Sequence, residues 1–350
     1  MTPDQTFWSG RRVLVTGHTG FKGSWLTTRL CELGAAVHGV SLPDSEGRTD
    51  LWEQLSLEGV SETRGDIAAR DWTSPARDFS PEVVFHLAAQ SLVTVGYQDP
   101  ALTFRTNVLG TVQVLHLVSQ LPELRSAVIV TTDKVYDVRQ APPYVEDHFL
   151  GGKDPYSASK ACAEFVTLSW PGLEVPVVTA RAGNVIGGGD WAAHRLVPDA
   201  VRAWSSGAVL TLRRPTAIRP WQHVIEPLEG YLAYAEALAS ERQLPRSLNF
   251  GPGASQRVSV LALVEFAAEE WERLTGTSPV RWDVQPASVV TETEDLTLDP
   301  TLARRALGWG GVWDWRTAIS KTLEWYVATA GGKHPREMIR DQFADYASRL

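Results

Sequence analysis

The sequence predicts an α/β protein built on a doubly wound parallel sheet, and three observations support this prediction. Short apolar runs alternate with helical patterns through the first half of the chain. Val13, Leu14 and Val15 form an apolar run with two β-branched members, which is typical of a strand buried on both faces. Three glycines follow this run and lead into a helical pattern. Alternating strands and helices favour a parallel sheet with helices on both faces.

The three glycines Gly17, Gly20 and Gly23 lie between the first strand and the first helix. A helix N-terminus presents backbone N–H groups and a partial positive charge, so a pyrophosphate can bind there if glycines let the backbone approach. The GxxGxxG spacing in this context therefore predicts a dinucleotide site. The residues expected to contact the cofactor are Gly17, Thr19, Gly20, Phe21, Lys22 and Gly23.

The second strand is predicted at residues 36–42, and its end bears on the choice of cofactor. An acidic residue at this point binds the adenosine ribose in NAD sites of this kind. Here the run ends in Ser41 and Leu42, with Asp44 and Arg48 slightly later. The end of this strand therefore leaves the choice between NAD and NADP open.

The third and fourth strands, at residues 60–65 and 82–87, each lead into a turn with a candidate role in cofactor binding. Asp66, followed by Ile67, either accepts a hydrogen bond from an adenine amino group or caps the helix that follows. The turn after the fourth strand is rich in small residues, which leave room for a cofactor or allow close helix packing. Its residues are Leu87, Ala88, Ala89 and Gln90.

A long helical pattern over residues 99–120 precedes the fifth strand at residues 127–130. Asn107 is the polar candidate in this helix; it either organises water or backbone near an active site or lies on a solvated face. Thr132, Asp133 and Lys134 follow the fifth strand closely. Ligands bind beyond the carboxyl ends of strands in open α/β sheets, so this cluster lies where chemistry is expected.

Tyr156 and Lys160 lie four residues apart in a helical pattern over residues 154–170, so they share one face of that helix. A tyrosine, with an ordinary pKa of about 10, acts as a base near neutral pH only when its phenolate is stabilised. A lysine ammonium beside it and a positive nicotinamide would lower the pKa of Tyr156. Together with the glycine turn, this pair predicts a dehydrogenase-type site.

A sixth strand is predicted at residues 175–180, and the pattern changes after Arg181. Beyond that point the chain has a glycine-rich stretch, many prolines and tryptophans, and shorter helices and strands. We expect residues 1–181 to form a dinucleotide-binding domain. Residues 182–350 are expected to form mostly a smaller mixed α/β substrate-binding lobe, with some segments returning to the first domain.

The composition, with 43% hydrophobic and 21% charged residues, is that of an ordinary globular protein. A net charge of −8 argues against a surface that binds nucleic acid or anionic lipid. The two cysteines form no CxxC pattern, the histidines show no metal-binding spacing, and the first residues lack signal-peptide features. No apolar run reaches membrane-spanning length. We therefore expect a cytoplasmic protein with no metal centre and no membrane partner.

Several motifs together resemble the extended short-chain dehydrogenases/reductases, and within them the nucleotide-sugar 4,6-dehydratases, most of all those that act on CDP-glucose. These motifs, spread from about residue 15 to residue 309, are VTGHTGFKGSWL, HLAAQ, TTDKVYD, PYSASK, RAGNVIGGGDWAAHRLVPD, RPWQHVIEPLEGYL, NFGP and ALGW. The resemblance implies a Rossmann-type fold, NAD as cofactor, a nucleotide-sugar substrate and a lyase activity in deoxysugar biosynthesis. In this superfamily the helices at 99–120 and 154–170 often pack against a second subunit, which implies a homodimer or higher homo-oligomer.

The resemblance also implies a redox cycle that consumes no cofactor. Tyr156 takes the 4-hydroxyl proton while hydride passes from C4 to the nicotinamide, water is lost across C5 and C6, and hydride returns to C6. Thr132 would bond the 4-oxygen, and Asp133 would be the acid for the leaving hydroxyl, provided it is protonated then. Related dTDP-glucose enzymes have a glutamate where this chain has Lys134. We expect Lys134 to act directly at C5 as a neutral amine; alternatively, it stabilises the enolate while another group removes the proton.

The substrate diphosphate must be held by few groups in an acidic protein. Guanidinium groups suit phosphate oxygens, although any one arginine could instead form a surface ion pair. By resemblance, the candidate substrate-binding residues are Gln90, Asn107, Asn184, Arg195, Leu196 and Arg219. The alternatives are a 4-epimerase, a 4,6-dehydratase for another nucleotide sugar, and a non-catalytic dinucleotide-binding module. An epimerase would keep Tyr156 and Lys160 but would have no use for an acid/base pair at positions 133 and 134.

Overall fold

The computed structural model describes residues 2–43, 50–173, 175–240, 243–285 and 294–350. A seven-stranded sheet forms its centre, and neighbouring strands in this sheet pair in parallel. The strands of this sheet are β1 (Arg12–Thr16), β2 (Ala36–Ser41), β3 (Ser61–Arg64), β4 (Val83–His86), β5 (Ser126–Val130), β6 (Val177–Ala182) and β7 (Ser247–Phe250). They are ordered β7-β6-β5-β4-β1-β2-β3 across the sheet, so the strand order reverses between β1 and β4. This parallel, doubly wound order confirms the predicted fold class. In open α/β sheets, ligands bind at the point where the strand order reverses.

Six helices matter for the site and its surroundings. They are α1 (Phe21–Glu32), α2 (Pro100–Phe104, the π-helical turn Arg105–Leu109 and Gly110–Val118), α3 (Pro155–Ser169), α4 (Ile225–Ala239), α5 (Trp315–Ala330) and α6 (Pro335–Ala347). Other helical segments are Gln5–Trp8, Asp50–Leu55, Thr73–Asp78, Val93–Gln98, Asp133–Val135, Leu196–Ser205, Ala254–Gln256, Val260–Thr275 and Thr301–Leu307. Short strands pair Val185–Ile186 with Gln222–His223, Ile218–Arg219 with Val258–Ser259, and Val209–Leu212 with Arg281–Val284.

The sheet is buried on both faces because alternate residues of each strand face opposite layers. On one face Leu14 and Ile129 pack with α2 residues such as Leu115. On the other face Val13 and Phe85 belong to the larger core, which includes residues of α1 and α4. The helices therefore form two layers around the sheet, as the alternating pattern predicts.

The second half of the chain contributes to the same sheet. Strand β7 pairs with β6 at the edge. Helix α4 lies against β5, where the Ser126 hydroxyl donates to the carbonyl oxygen of Ala235 at 3.1 Å. Arg125 Nη2 similarly donates to the carbonyl oxygen of Ala239 at 2.9 Å. Among the described residues, no helix is both long and apolar enough to cross a membrane.

Candidate active site

The turn between β1 and α1 requires glycine at two positions. Gly17 has a φ of +75°, which favours glycine, and a Cβ there would lie 2.7 Å from the backbone nitrogen of Ala88. A Cβ on Gly23 would lie 2.0 Å from the carbonyl oxygen of Gly17. The fold itself therefore excludes a larger side chain at both positions.

Gly20 has more space, since a Cβ there would meet, among the described residues, only the Gly17 carbonyl oxygen at 3.3 Å. Gly20 is the N-cap of α1, and no side chain in the described part of the chain caps this helix end. An uncapped helix N-terminus suits a pyrophosphate. The turn therefore fits a dinucleotide, with Thr19 and Phe21 buried beside it.

The end of β2 holds Ser41, whose hydroxyl oxygen accepts a hydrogen bond from Arg64 at the end of β3. Glu62, also on β3, bonds His18 Nε2 of the glycine turn at 2.8 Å. The two later residues considered for ribose recognition, Asp44 and Arg48, lie outside the described residues.

Asp66 has local partners in the turn after β3. Its Oδ1 accepts from the Ala68 N–H at 2.9 Å, and its Oδ2 lies 2.7 Å from Arg105 Nη2. These contacts stabilise the turn rather than cap the helix at Thr73–Asp78. The neighbouring Ile67 packs in the core. Contact of Asp66 and Ile67 with adenine stays a prediction.

The turn after β4 packs against the glycine turn. Leu87 N–H donates to the Thr16 carbonyl oxygen at 3.0 Å, and Ala88 N–H donates to Thr16 Oγ1 at 3.4 Å. Close packing therefore explains the small side chain at Ala88. Cofactor contacts of Leu87, Ala88 and Ala89 stay predictions.

Asn107 lies in the π-helical turn of α2 and is buried, so it does not lie on a solvated face. Its Oδ1 accepts from the Gln90 N–H at 2.9 Å, and its Nδ2 donates to the Gln90 carbonyl oxygen at 3.0 Å. The same Nδ2 also donates to Ser159 Oγ at 2.8 Å. Ser159 in turn donates to the carbonyl oxygen of Tyr156 at 2.7 Å. Asn107 therefore ties the turn after β4 to the helix that carries Tyr156.

Thr132, Asp133 and Lys134 form a polar cluster beyond the end of β5. Asp133 is fully buried; its Oδ1 accepts from Thr132 Oγ1 at 2.8 Å and lies 3.4 Å from Lys134 Nζ. The second oxygen, Asp133 Oδ2, is buried and has no hydrogen-bond partner among the described residues. Leaving a buried polar atom unpaired is costly, so this oxygen marks a position for a ligand group.

Tyr156, near the start of α3, lies close to this cluster, near enough for the Thr132 hydroxyl to act on its pKa. Burial raises the pKa of Tyr156 to about 12, while the Thr132 hydroxyl and the charge of Arg195 act to lower it. The sequence predicted that Lys160 would lower the pKa of Tyr156, but in the protein without cofactor this pKa is raised. Loss of water around the phenol outweighs the nearby cations.

Lys160 is buried about one helical turn after Tyr156 on α3, and its Nζ donates to the carbonyl oxygen of Val130 at 2.8 Å. Burial lowers the pKa of Lys160 to about 8, and the charge of Glu164 acts to raise it. Lys22 of the glycine turn has its pKa lowered to about 7, first by burial and then by neighbouring cations. The cations that act on Lys22 are Arg195, Lys160 and Lys134. This concentration of positive charge suits an anionic ligand.

Arg195 joins the glycine-rich segment of the second half of the chain to the turn after β4. Its Nη1 donates to Asp190 Oδ2 at 2.8 Å, and its Nη2 donates to Ser91 Oγ at 3.1 Å. Leu196, the next residue, begins the helix Leu196–Ser205. Asn184 Oδ1 is buried with no hydrogen-bond partner in the described ranges, which leaves it available to a ligand.

Arg219 is buried, and its Nη1 bonds two backbone oxygens. One is the carbonyl oxygen of Ile218 at 2.9 Å, and the other is that of Glu294 at 3.1 Å. These contacts join two backbone segments of the second half of the chain. Phosphate binding by Arg219 stays a prediction.

Sequence reasoning missed Glu164, which lies one helical turn after Lys160 on α3. It is fully buried and pairs with Arg181 of β6, with Arg181 Nη2 2.9 Å from Glu164 Oε2. The four-residue spacing places Glu164 on the same helix face as Lys160, which could have drawn attention to it. Its burial, however, depends on pairing with Arg181 on another element, the strand β6. Among the described residues, no group of three or more His, Cys, Asp or Glu side chains is placed to hold a metal ion.

Comparison with known proteins agrees with this geometry. The family model described as GDP-mannose 4,6 dehydratase matches residues 14–322. The CDP-glucose 4,6-dehydratase of Salmonella typhimurium is 39% identical to this chain, over 99% of this chain and 98% of that protein. The dTDP-glucose 4,6-dehydratase of Streptomyces griseus is 28% identical, over 90% of this chain and 93% of that protein.

Solved structures show the same fold. An epimerase from Methanothermobacter thermautotrophicus has a TM-score of 0.81 at 23% identity, covering 96% of both chains. A dTDP-glucose 4,6-dehydratase from Bacillus anthracis, solved in complex with NAD, has a TM-score of 0.75 at 19% identity, covering 94% of this chain and 100% of that one. These matches confirm the resemblance inferred from the motifs. Since the family model covers most of its length, the chain belongs to the GDP-mannose 4,6 dehydratase family.

Proposed function

We propose that this chain is an NAD-dependent CDP-glucose 4,6-dehydratase, a lyase that converts CDP-D-glucose to CDP-4-keto-6-deoxy-D-glucose. The proposal is carried by the position of Thr132, whose hydroxyl donates to the Asp133 carboxylate at 2.8 Å and lies close enough to act on the pKa of the Tyr156 phenol. Oxidation at C4 needs a base and loss of the 6-hydroxyl needs an acid, and Thr132 links the two groups. A 4-epimerase needs no such acid. The Salmonella typhimurium CDP-glucose 4,6-dehydratase, 39% identical, supports CDP-glucose as the substrate.

The glycine turn would hold NAD, with the pyrophosphate at the N-terminus of α1. Asp66 would lie at the adenine end, and Lys160 and Tyr156 at the nicotinamide end. When bound, the nicotinamide accepts hydride from C4 and returns it to C6, and its positive charge favours the Tyr156 phenolate. The NAD complex of the Bacillus anthracis dehydratase supports this choice of cofactor.

Proton transfer through the Thr132 hydroxyl would complete the proton balance of the reaction. Tyr156 takes the proton of the 4-hydroxyl, and protonated Asp133 gives its proton to the departing 6-hydroxyl, which leaves as water. The Thr132 hydroxyl then passes a proton from Tyr156 to Asp133. Both side chains return to their starting states, and the 4-hydroxyl proton replaces the one lost in water.

Lys134 would act directly at C5. One proton shifted across the 3.4 Å between Lys134 Nζ and Asp133 Oδ1 produces a neutral amine and a protonated acid together. The neutral amine removes the C5 proton during elimination and returns a proton to C5 after hydride reaches C6.

The second half of the chain, residues 182–350, would supply most of the substrate site. Asn184 offers an unpaired buried oxygen, and Arg195 lies close enough to act on the pKa values of both Tyr156 and Lys22. Arg195 and Arg219 would hold the diphosphate, with Gln90, Asn107 and Leu196 shaping the sugar end. Cys31 and Cys162 are free thiols, in keeping with a reducing cytoplasm.

The chain would assemble as a homodimer through α2 and α3. Leu102, Leu109 and Phe165 lie on these two packed helices, and each is more than one third exposed. Large exposed apolar side chains grouped on adjacent helices indicate a surface that another subunit covers.

The direct test is incubation with CDP-glucose, with dTDP-glucose and with the GDP- and UDP-hexoses, followed by mass spectrometry and the alkaline absorbance of 4-keto sugars. CDP-glucose should lose one water, and Asp133→Asn should form reduced nicotinamide without releasing the dehydrated sugar. A 4-epimer of CDP-glucose with no loss of water would overturn the dehydratase. Turnover of dTDP-glucose but not CDP-glucose would overturn the nucleotide assignment alone.

A further inference from the structure

We propose that Glu164 is a positioning residue for catalysis: its buried carboxylate fixes α3 against the end of β5 and keeps Lys160 in its charged form. The inference rests on the proposed reaction, in which the Lys160 ammonium supports the Tyr156 base. Glu164 touches neither substrate nor cofactor in this account and acts through Lys160 and Thr131.

The Glu164 carboxylate has a partner on each side. Its Oε1 accepts hydrogen bonds from Thr131 Oγ1 and, at 3.0 Å, from Arg181 Nε. Its Oε2 accepts from Thr179 Oγ1 at 2.7 Å and from Arg181 Nη2 at 2.9 Å. Such a fully bonded and buried carboxylate is held in one orientation.

Glu164 and Lys160 attach one face of α3 to consecutive residues of a single strand end. Lys160 Nζ donates to the carbonyl oxygen of Val130, and Thr131 Oγ1 donates to Glu164. The next residue along the chain is Thr132, which donates to Asp133 and lies close enough to act on the pKa of Tyr156. The two attachments therefore set the position of the Tyr156 helix relative to the catalytic threonine.

The charges around Lys160 give Glu164 a second role. Burial disfavours the Lys160 ammonium, and the charge of Lys160 in turn acts to lower the pKa of Lys22 on α1. His86 on β4 is also close, but burial lowers its pKa to about 3, so it is neutral near pH 7. Glu164 acts to raise the pKa of Lys160 from within the same helix.

Two further groups face Glu164 from neighbouring elements. Arg181 on β6 pairs with it, and Tyr234 on α4 has its pKa raised by burial and by the Glu164 charge. The negative charge that acts to raise the pKa of Lys160 is that of Glu164.

The test is the pH profile of Glu164→Gln. The amide removes the charge, so the pKa of Lys160 should fall, and the alkaline limb of kcat should move to lower pH by about one unit. The same shift should appear in the pH dependence of NAD binding measured by tryptophan fluorescence. A purely structural role would lower the amount of folded enzyme without moving either limb.

Two control variants separate charge from packing. Thr179→Val removes one hydrogen bond to the carboxylate but leaves its charge, so it should leave the alkaline limb in place. Glu164→Asp keeps the charge on a shorter side chain, so it should lower kcat and leave the limb near its wild-type position. A limb that moves equally in Thr179→Val and Glu164→Gln would contradict the proposal.

Glu164→Gln leaves Arg181 buried without its carboxylate, which can prevent folding. The double variant Glu164→Gln/Arg181→Gln leaves neither charge of this pair, and the same downward shift is expected from it.

Unchanged limbs in a folded variant, or failure of both variants to fold, would count against a positioning role. A wild-type enzyme that does not dehydrate CDP-glucose would instead sink the proposed function, while the NAD-binding profile would still test Glu164.

Discussion

Thr132 shows how much of the proposed chemistry depends on one hydroxyl group. Its hydroxyl donates to the carboxylate of Asp133 at 2.8 Å and lies close enough to act on the pKa of Tyr156. The backbone places it there because Thr132 lies two residues beyond the end of β5 and precedes a short 3-10 turn. A base and an acid on different elements are thus connected without a further side chain.

We predict that Thr132→Val lowers kcat about 100-fold, because it removes the proton path between Tyr156 and Asp133. The KM for CDP-glucose should change little, since the side chain keeps its shape. Steady-state kinetics on the purified variant checks this prediction. Thr132→Ser should recover most of the activity, whereas a valine variant with wild-type kcat would exclude the relay.

A matched control for this substitution is Thr322→Val. Thr322 is buried on α5, and its hydroxyl donates to the carbonyl oxygen of Ala318 at 2.7 Å within its own helix. The same chemical change there should leave kcat unchanged. A loss of activity in both variants would indicate a general effect of the substitution on the fold.

The candidate catalytic residues were easier to find in the sequence than the side chains that surround them. Tyr156, Lys160 and Asp133 follow from motifs at the carboxyl ends of strands, because sheet geometry brings those ends together. Glu164 was missed because its burial depends on Arg181, which lies on a strand that no local pattern connects to it. The raised pKa of Tyr156 was missed for a similar reason, since spacing reveals nearby charges but not the loss of water.

At the scale of elements, the glycine turn allows a prediction that separates folding from cofactor binding. Gly23→Ala should lower the free energy of unfolding by about 3 kcal/mol, because its Cβ would lie 2.0 Å from the Gly17 carbonyl oxygen. Gly20→Ala should cost less than about 1 kcal/mol, since its Cβ meets that oxygen at 3.3 Å. Chemical denaturation of both variants checks this difference.

Although Gly20→Ala should destabilise the fold only slightly, we expect it to impair NAD binding. Gly20→Ala should weaken NAD binding about tenfold in a folded protein, because the added methyl group occupies space in front of the helix N-terminus. Tryptophan fluorescence titration measures the dissociation constant. Unchanged NAD affinity in Gly20→Ala would mean that the pyrophosphate lies elsewhere.

The first six strands were predicted to within two residues at either end, because all but β3 (SETR) are largely apolar runs and strands alternate with helical patterns in this half of the chain. The sixth strand shows the largest displacement, from the predicted 175–180 to Val177–Ala182. Strand β7 was not predicted, since it lies outside the regular alternation of the first half of the chain and its place beside β6 is fixed by tertiary packing. The π-helical turn at Arg105–Leu109 was also missed, as its pattern is that of an ordinary helix.

At the scale of the whole molecule, buried histidines should make the protein sensitive to acid. His223 is fully buried between Trp25 and Trp313, and burial lowers its pKa from 6.5 to about 3. Stability from the neutral histidine is therefore complete above pH 6.5 and is lost as pH falls towards 3. Glu226 has the opposite effect. Burial raises its pKa to about 7, so its contribution to protein stability is present at low pH and is lost as the pH rises from 4.5 to 7.

We predict that His223→Phe reduces the loss of stability between pH 7 and pH 5 by about 2 kcal/mol. Comparing each protein with itself at two pH values cancels any packing change and the effect of Glu226. Urea unfolding at both pH values gives the measurement. An equal loss in the variant and the wild type would show that His223 does not take up a proton on unfolding.

Assembly gives a second prediction at this scale. Phe165→Asp should shift the protein from dimer to monomer in sedimentation velocity, because a charge would be buried in the proposed interface. Phe149, which is 77% exposed and lies outside α2 and α3, provides the matched control. A dimer that persists in Phe165→Asp, or dissociates equally in Phe149→Asp, would argue for a different interface.

The contribution of β7 and α4 to the central sheet limits how this protein can be divided. A polypeptide ending at residue 181 would lack the outermost strand and the helical layer over β5, so it would expose apolar surface and precipitate. The complementary fragment would carry a strand with nothing to pair with. Neither fragment should be active when expressed alone. Activity should require co-expression of the two fragments, so that β7 can pair with β6.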